Sequence, residues 1–323
     1  MRILFCVLFA LLWSASASAA ELKIALLCAG STNDGGWNQL AREGADKLKA
    51  EFGAVVTVQQ RVTADTAATA IKDFASDGYQ LIIAHGYEFL NPASASAGSV
   101  GNTKIVVSGA DVAKPGIVCI DYDVSHASYQ LGILAGRLTR TGKLGFIGGG
   151  PFPSVKACYR GFLAGARSVR PDVTVAEAYT SWDDVAKNKA QAEAFIAQGI
   201  DQIYPNIDAA SRGVYEAVRE RNMAKPDALV WAYGCVGDAN ANPAAGRWTL
   251  ASAVVRLDAS FKHVATMVRD GAWKPGVVRE DLATGTCVTI LNPTLLGTVI
   301  TPALAAELGQ AAKALVAGSI TIP

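Results

Sequence analysis

Two doubly wound α/β lobes joined by a three-crossing hinge are the fold class that the sequence predicts. Short apolar runs alternate with amphipathic segments along the chain, which is the signature of parallel sheets with right-handed crossovers. A strand running into a polar, glycine-rich loop occurs twice, at Ile24–Gly36 and again at Gly142–Gly148. The last third holds one helix and one strand followed by a final helix, too little for a third domain, so the chain is expected to cross back and complete both lobes.

The N-terminus comes first. Met1 and Arg2 precede an apolar stretch, Ile3–Trp13, and a run of small residues, Ser14–Ala20, which is the plan of a secretory signal peptide. Residues 1–20 are assigned to it, with cleavage expected after Ala19 or Ala20. The apolar core is too short to span a bilayer. Cys6 lies inside that core and no cysteine follows the small residues, so the mature protein is expected to be periplasmic, soluble and not lipidated.

The first lobe opens with a buried strand, Ile24–Cys28, and the loop Ser31–Gly36. Trp37, Ala41, Ala45, Leu48 and Phe52 then share one helical stripe, with Asn33 or Asp34 as cap. Strands follow at Val55–Val58, Leu81–Ala84, Lys104–Val107 and Ile117–Asp121, with Asp65 starting the helix between the first two. The second lobe has strands at Leu144–Ile147, Val173–Ala178, Gln202–Tyr204, Ala228–Ala232 and Ala251–Val255. Asp183 is expected to cap the helical segment that ends at Gly199. A helix over Leu257–Arg269, a strand near Thr286–Ile290 and a terminal helix finish the chain. Residues 21–123 with 257–282 are assigned to lobe I, and 124–256 with 283–323 to lobe II, with a closing cleft between them.

Composition excludes several classes. A net charge of +1 and only 18% charged residues leave no footprint for nucleic acid or an anionic membrane. Histidine occurs three times, at 85, 126 and 263, without metal-ligand spacing, and no nucleophile elbow or phosphate loop occurs. No catalytic set, metal or cofactor is therefore assigned, and a nucleoside- or sugar-processing enzyme is the minor alternative. Cysteines 28, 119, 158, 235 and 287 follow the signal; Cys235 with Cys287 is the candidate disulfide, and at least one thiol is left over.

Ligands of open α/β sheets bind beyond the carboxyl ends of strands. Trp37 and Asn38 stand there beside Asn33 and Asp34, a stacking face among hydrogen-bonding groups. Asp34 and Asn38 suit either base-edge recognition or helix capping. Asn206 and Asp208 follow a strand in the same way. Tyr87 and Glu88 follow another, where they line the cleft or support the hinge.

Several segments in order, NDGGWNQLAREG (33–44), HGYEF (85–89), SYQLGILAGRLTRTGKLGFIGG (128–149), PSVKACYRGFLAGARSVRPD (153–172), VWAYGCVGD (230–238) and GAWKPG (271–276), resemble the basic membrane protein family of periplasmic binding proteins. The resemblance implies a type I periplasmic-binding fold that works as a monomeric solute receptor for the membrane permease of an ABC importer, with a purine nucleobase or nucleoside as ligand. A sensor-type receptor for another small heterocycle or sugar is the alternative. The resemblance makes Trp37 the aromatic that stacks on the purine and Trp182 a second aromatic wall, with Phe152 enclosing the ligand. Asp111 matches an acid that contacts the base, and Asp238 one that receives sugar hydroxyls. Arg256 stands where nucleoside-binding members carry a lysine; the guanidinium is a planar, longer fork, which turns the expectation toward a bare base as well as a nucleoside.

Overall fold

The computed structural model describes residues 21–242 and 245–323; the expected signal segment and its cleavage site lie outside the described residues. Strand β1 (Lys23–Cys28) leads to α1 (Trp37–Phe52), β2 (Val55–Gln59), α2 (Ala64–Ser76), β3 (Leu81–His85), α3 (Leu90–Ser96), β4 (Lys104–Ser108) and β5 (Val118–Tyr122). Then come α4 (Ser125–Leu138), β6 (Lys143–Gly148), α5 (Pro153–Val169), β7 (Thr174–Tyr179), α6 (Val185–Ala197), β8 (Gln202–Asn206), α7 (Ser211–Ala224), β9 (Trp231–Val236) and β10 (Thr249–Val255). The chain closes with α8 (Leu257–Arg269), β11 (Gly276–Glu280), β12 (Cys287–Leu291) and α9 (Pro302–Val316).

Among the described residues these strands make two six-stranded sheets, ordered β11-β5-β4-β3-β1-β2 and β12-β10-β9-β8-β6-β7. Every pairing is parallel except β12, which runs antiparallel to β10. The central strands read as unbroken apolar runs because helices cover both faces of each sheet. In β1 the alternation is visible in the packing. Ile24, Leu26 and Cys28 join Ala41, Ala45 and Leu48 of α1 and Phe261 of α8 on one side. Ala25 and Leu27 join α2 and α3 on the other, through Ala67, Ile71, Leu90 and Ala93. In the second sheet, Leu144 and Phe146 face Phe162 of α5, while Ile147 joins Phe195 and Val214 of α6 and α7.

Helices α4 and α5 meet backbone to backbone. A methyl group on Gly165 would lie 1.9 Å from the Tyr129 carbonyl oxygen, and one on Gly132 only 2.1 Å from that of Phe162. Gly136 and Gly161 face the same seam, so each helix contributes two glycines four residues apart. This close approach locks α5 against the second sheet and so fixes the residues it carries toward the cleft.

Local details depart from the sequence expectations at four places. Asp184, not Asp183, caps α6 by accepting from the Lys187 amide at 2.9 Å, while Asp183 accepts from the Ser181 hydroxyl at 2.7 Å. Thr63, rather than Asp65, caps α2 through a capping box with Thr66. Strand β9 starts at Trp231 because the Asn222 side chain bonds both the amide and the carbonyl of Val230, at 2.8 and 2.7 Å, and holds that stretch as a loop. Strand β11, which extends the first sheet beside β5, was not anticipated: it is an edge strand whose Val277 is exposed, so it lacks the continuous apolar run of a central strand.

The expected Cys235–Cys287 disulfide is not formed; all five cysteines among the described residues are free thiols. The topology explains it. Cys235 pairs with Ala253 of β10, and Cys287 pairs with Val255 on the far side of the same strand. Two strand spacings, about 9.6 Å, exceed the roughly 7 Å of Cα separation that a disulfide bridges.

Candidate functional site

A cavity of about 760 Å³ opens where the carboxyl ends of the two sheets face each other. Its wall takes residues from the end of almost every parallel strand: Trp37 and Asn38 after β1, Tyr87 and Glu88 after β3, Asp111 after β4, and Asp121 to Ser125 at the end of β5. From the second sheet come Phe152 to Val155 after β6, Trp182 after β7, Asn206 and Asp208 at β8, Cys235 and Val236 at β9, and Val255 at β10. Arg160 and Cys158 of α5, Arg279 of β11 and the C-terminal residues Ile322 and Pro323 also line it.

Of the residues singled out in the sequence, Trp37, Asn38, Tyr87, Asp111, Phe152, Trp182, Asn206 and Asp208 are brought together on this wall. Asn33, Asp34, Asp238 and Arg256 stand outside it. Asn33 is exposed. The Asp34 carboxylate accepts from the amides of Gly36 (2.9 Å), Gln39 (3.0 Å) and Asn38 (3.2 Å) and from the Asn38 side chain (2.8 Å), so it satisfies the open end of α1 and aims Asn38. Asp238 accepts from the Asn240 amide at 3.0 Å and starts a short turn. Arg256 is exposed at the head of α8, with its amide bonded to Thr286 O at 2.8 Å.

Trp37 is braced from behind. Its ring stacks on His85 at 4.0 Å between centroids and 23° between planes, and meets Tyr122 edge-on at 5.7 Å. His85 is fully buried, and burial lowers its pKa to about 3, so the ring is neutral. Nε2 lies 3.1 Å from the Trp37 carbonyl, which only accepts, so Nε2 carries the proton and Nδ1 accepts from the Ser108 hydroxyl at 2.9 Å. The chain continues from Ser108 to the Tyr122 hydroxyl (3.1 Å) and on to Ser260 of α8 (2.9 Å). A fully bonded buried network of this kind holds one indole orientation.

The opposite wall is aromatic too. Trp182 lies flat against the backbone at Gly149, where a methyl group would sit 2.2 Å from the indole, and Phe152 leans on it at 6.2 Å. Phe152 is 48% exposed.

Carboxylates outnumber cations around the space. Glu88, Asp111, Asp121, Asp123 and Asp208 face Arg160 and Arg279. Arg279 is already engaged: it pairs with Asp123, and with Asp121 and Asp281 at 3.5 Å each. Burial pushes the carboxyl groups of Glu88 and Asp121 up, in Asp121 against the pull of Arg279. Asp208 is raised from 3.8 to about 7, first by burial and then by the Asp34 carboxylate, although it accepts from the Trp37 amide. Asp208 thus reaches from the second sheet to the start of α1. After Cys235 the chain turns at Val236, φ 67°, with the Gly237 amide bonded back to Cys235 O at 2.8 Å; a β-branched residue seldom adopts this conformation.

Sequence reasoning passed over Asp121, Asp123, Ser125, Cys158, Arg160, Cys235 and Arg279. The strand-end rule that found Asn206 and Asp208 reaches Asp121, Asp123 and Cys235 equally, whereas Arg279 required β11. Among the described residues no group of three or more histidine, cysteine or acidic side chains is placed to hold a metal. Nor is any helix among them long and apolar enough to cross a membrane.

Residues 21–292 match the family described as ABC transporter substrate-binding protein PnrA-like. The chain is 26% identical over 273 residues to an ABC transporter nucleoside-binding protein of Lactococcus lactis, covering 80% of this chain and 78% of that one. It is 26% identical over 205 residues to a purine-binding protein of Brucella abortus, covering 62% of this chain and 59% of the relative. Its fold is similar to that of an ABC transporter solute-binding protein from Conexibacter woesei, with a TM-score of 0.76, 25% identity and coverage of 94% and 98%. One family pattern therefore runs through both sheets, and the chain belongs to the Bmp family of PnrA-like ABC transporter substrate-binding proteins.

Proposed function

We propose that the chain captures a purine nucleobase or nucleoside in this cavity and presents it, unchanged, to the permease of an ABC importer. The observation that carries the reading is the pair of aromatic walls: Trp37, braced on His85, across one space from Trp182 with Phe152. A flat heterocycle gains roughly 1–3 kcal/mol for each base–aromatic stack. The surplus of carboxylates suits a ligand edge rich in N–H and O–H donors. The Lactococcus and Brucella relatives, named for nucleoside and purine binding, support the same ligand class.

Residues 21–123 with 257–282 act as one closing lobe and 124–256 with 283–323 as the other. Export follows removal of residues 1–20, without lipid attachment, and the receptor acts as a monomer in the periplasm. Calorimetric titration with adenine, guanine, hypoxanthine and their nucleosides tests the reading. At 100 times its dissociation constant a true ligand adds about 2.7 kcal/mol of stability, and it is recovered chemically unaltered. Binding of a different solute at micromolar level, with no heat from any purine, would overturn the ligand class and leave the receptor role standing.

A further inference from the structure

The cavity wall changes character along the second sheet. In sheet order, Trp182 follows β7 and Phe152 follows β6, then Asn206 and Asp208 stand at β8, and Cys235, Val236 and Val255 end β9 and β10. In the first sheet Trp37 follows β1, while Asp121 and Asp123 stand at β5 next to Arg279 of β11. Among the described residues none that follows β2 lines the space, so the aromatic pair closes its outer end. A heterocycle held between Trp37 and Trp182 therefore sends any substituent inward, toward β9 and β10. At that inner end the second sheet offers no free hydrogen-bonding side chain. Val236 is level with Val254 in the β9–β10 pairing, so Val255 continues the same aliphatic patch. The Cys235 thiol is matched with the Tyr204 hydroxyl at 3.1 Å, which is itself 3.0 Å from the Ser128 hydroxyl. The next polar side chains stand outside the wall: Asp238 accepts from the Asn240 amide, and Arg256 is exposed at the head of α8. Across the space Asp121 and Asp123 are paired with Arg279.

Val236 is also strained. Its φ of 67° is one that a β-branched side chain rarely adopts, and such strain persists only where the surroundings impose it. The Gly237 amide, bonded to Cys235 O at 2.8 Å, holds the turn, and a methyl group at Gly237 would meet Leu40 of α1 at 3.4 Å. The chain keeps an isopropyl group at a position where asparagine or glycine would sit with less strain.

We propose that Val236, with Val255 beside it, is a specificity-determining residue of the cavity and selects a bare purine base over its ribonucleoside. The selection rests on the purine reading above and narrows it. A ribose would carry its hydroxyl groups into this inner end. Each would leave water and meet aliphatic carbon instead of a partner, whereas a bare base loses nothing there. One hydroxyl left unpaired in this way weakens binding by roughly tenfold or more.

Calorimetry with adenine, hypoxanthine and guanine, each beside its ribonucleoside and its 9-methyl derivative, tests the selection. The base and its 9-methyl form are expected to bind alike, because a methyl group needs no partner, and the ribonucleoside at least about tenfold more weakly. Val236→Asn supplies a donor and an acceptor on a residue that tolerates positive φ. It is expected to raise ribonucleoside affinity by roughly tenfold and to leave that of the base within about twofold. Val255→Thr, which adds a hydroxyl at nearly the same shape, is expected to act in the same direction and serves if the first variant misfolds. A ribonucleoside that binds the wild-type chain as tightly as its base overturns the proposal. So does a nucleoside-to-base ratio unchanged in the folded variants, or a 9-methyl base that binds as poorly as the nucleoside, which would make size the cause. Heat from no base and no nucleoside removes the purine reading itself, and the selection with it.

Discussion

Trp37 presents one ring face to the cavity while the other rests on a neutral, buried histidine, so the residue serves binding and packing together. Trp37→Ala is expected to weaken purine binding by roughly 1–3 kcal/mol, the range of a base–aromatic stack, read by calorimetry. It is also expected to lower the unfolding midpoint of the unliganded protein, by less than the roughly 3–5 kcal/mol of a fully buried tryptophan. Asp208 gives a pH signature. Its folded-state pKa, about 7, is above the ordinary 3.8, so between these values the folded state binds more protons than the unfolded one. The contribution of Asp208 to stability is therefore most favourable below pH 4 and declines as pH rises to 7. In thermal melts between pH 4 and 8, Asp208→Asn is expected to flatten this part of the profile; an unchanged slope would refute the shifted carboxyl. Asp238, bonded to the Asn240 amide and outside the cavity wall, leads to a third expectation: Asp238→Ala changes base and nucleoside affinity alike, as titration of both will show.

Among the elements, the α4–α5 seam is the least tolerant. A methyl group at Gly165 has backbone oxygen 1.9 Å away and no flexible side chain to displace, so the helices must separate. Gly165→Ala is expected to destabilise by the upper end of the roughly 1–3 kcal/mol typical of overpacking, or more, measured as a lower urea midpoint. The start of α6 offers a milder contrast. Asp184→Ala removes the accepted Lys187 amide bond and costs about 1 kcal/mol, while Asp183→Ala, which only releases a serine hydroxyl, leaves the midpoint nearly unchanged. The apolar face of α1 was legible from its 3.6-residue period, because burial repeats with the turn of the helix. Which of two adjacent aspartates caps α6 was not, since both have the right chemistry and only the backbone path chooses.

At the scale of the molecule, the two sheets are linked by three crossings tied to one another. The Asp123 amide bonds Glu280 O at 2.9 Å and the Arg256 amide bonds Thr286 O at 2.8 Å. Glu280, buried at this junction, is satisfied by His263 (2.9 Å) and by the Thr286 hydroxyl (2.7 Å). With the crossings side by side, the two lobes are expected to close about the line they form on ligand binding. Small-angle scattering is expected to show a smaller radius of gyration on saturation with a purine that binds; an identical radius with and without ligand would argue for a rigid cavity.

Two doubly wound lobes, the positions of most strands along the chain and the placing of Trp37 beyond the end of β1 follow from the sequence itself. Period-two and period-3.6 burial, with glycines at the strand ends, are written in neighbouring residues and need no distant partner. The tertiary structure alone decided the rest. β11 became a strand only by pairing with β5, some 150 residues earlier in the chain, and it carried Arg279 into the carboxylates of the cleft. β10, inserted between β9 and β12, separated Cys235 from Cys287. Asp238 and Arg256 were singled out by residue type and place in the chain, yet both stand outside the cavity wall. Residue type is local, but membership of a cavity depends on which strand ends converge, and long-range packing sets that.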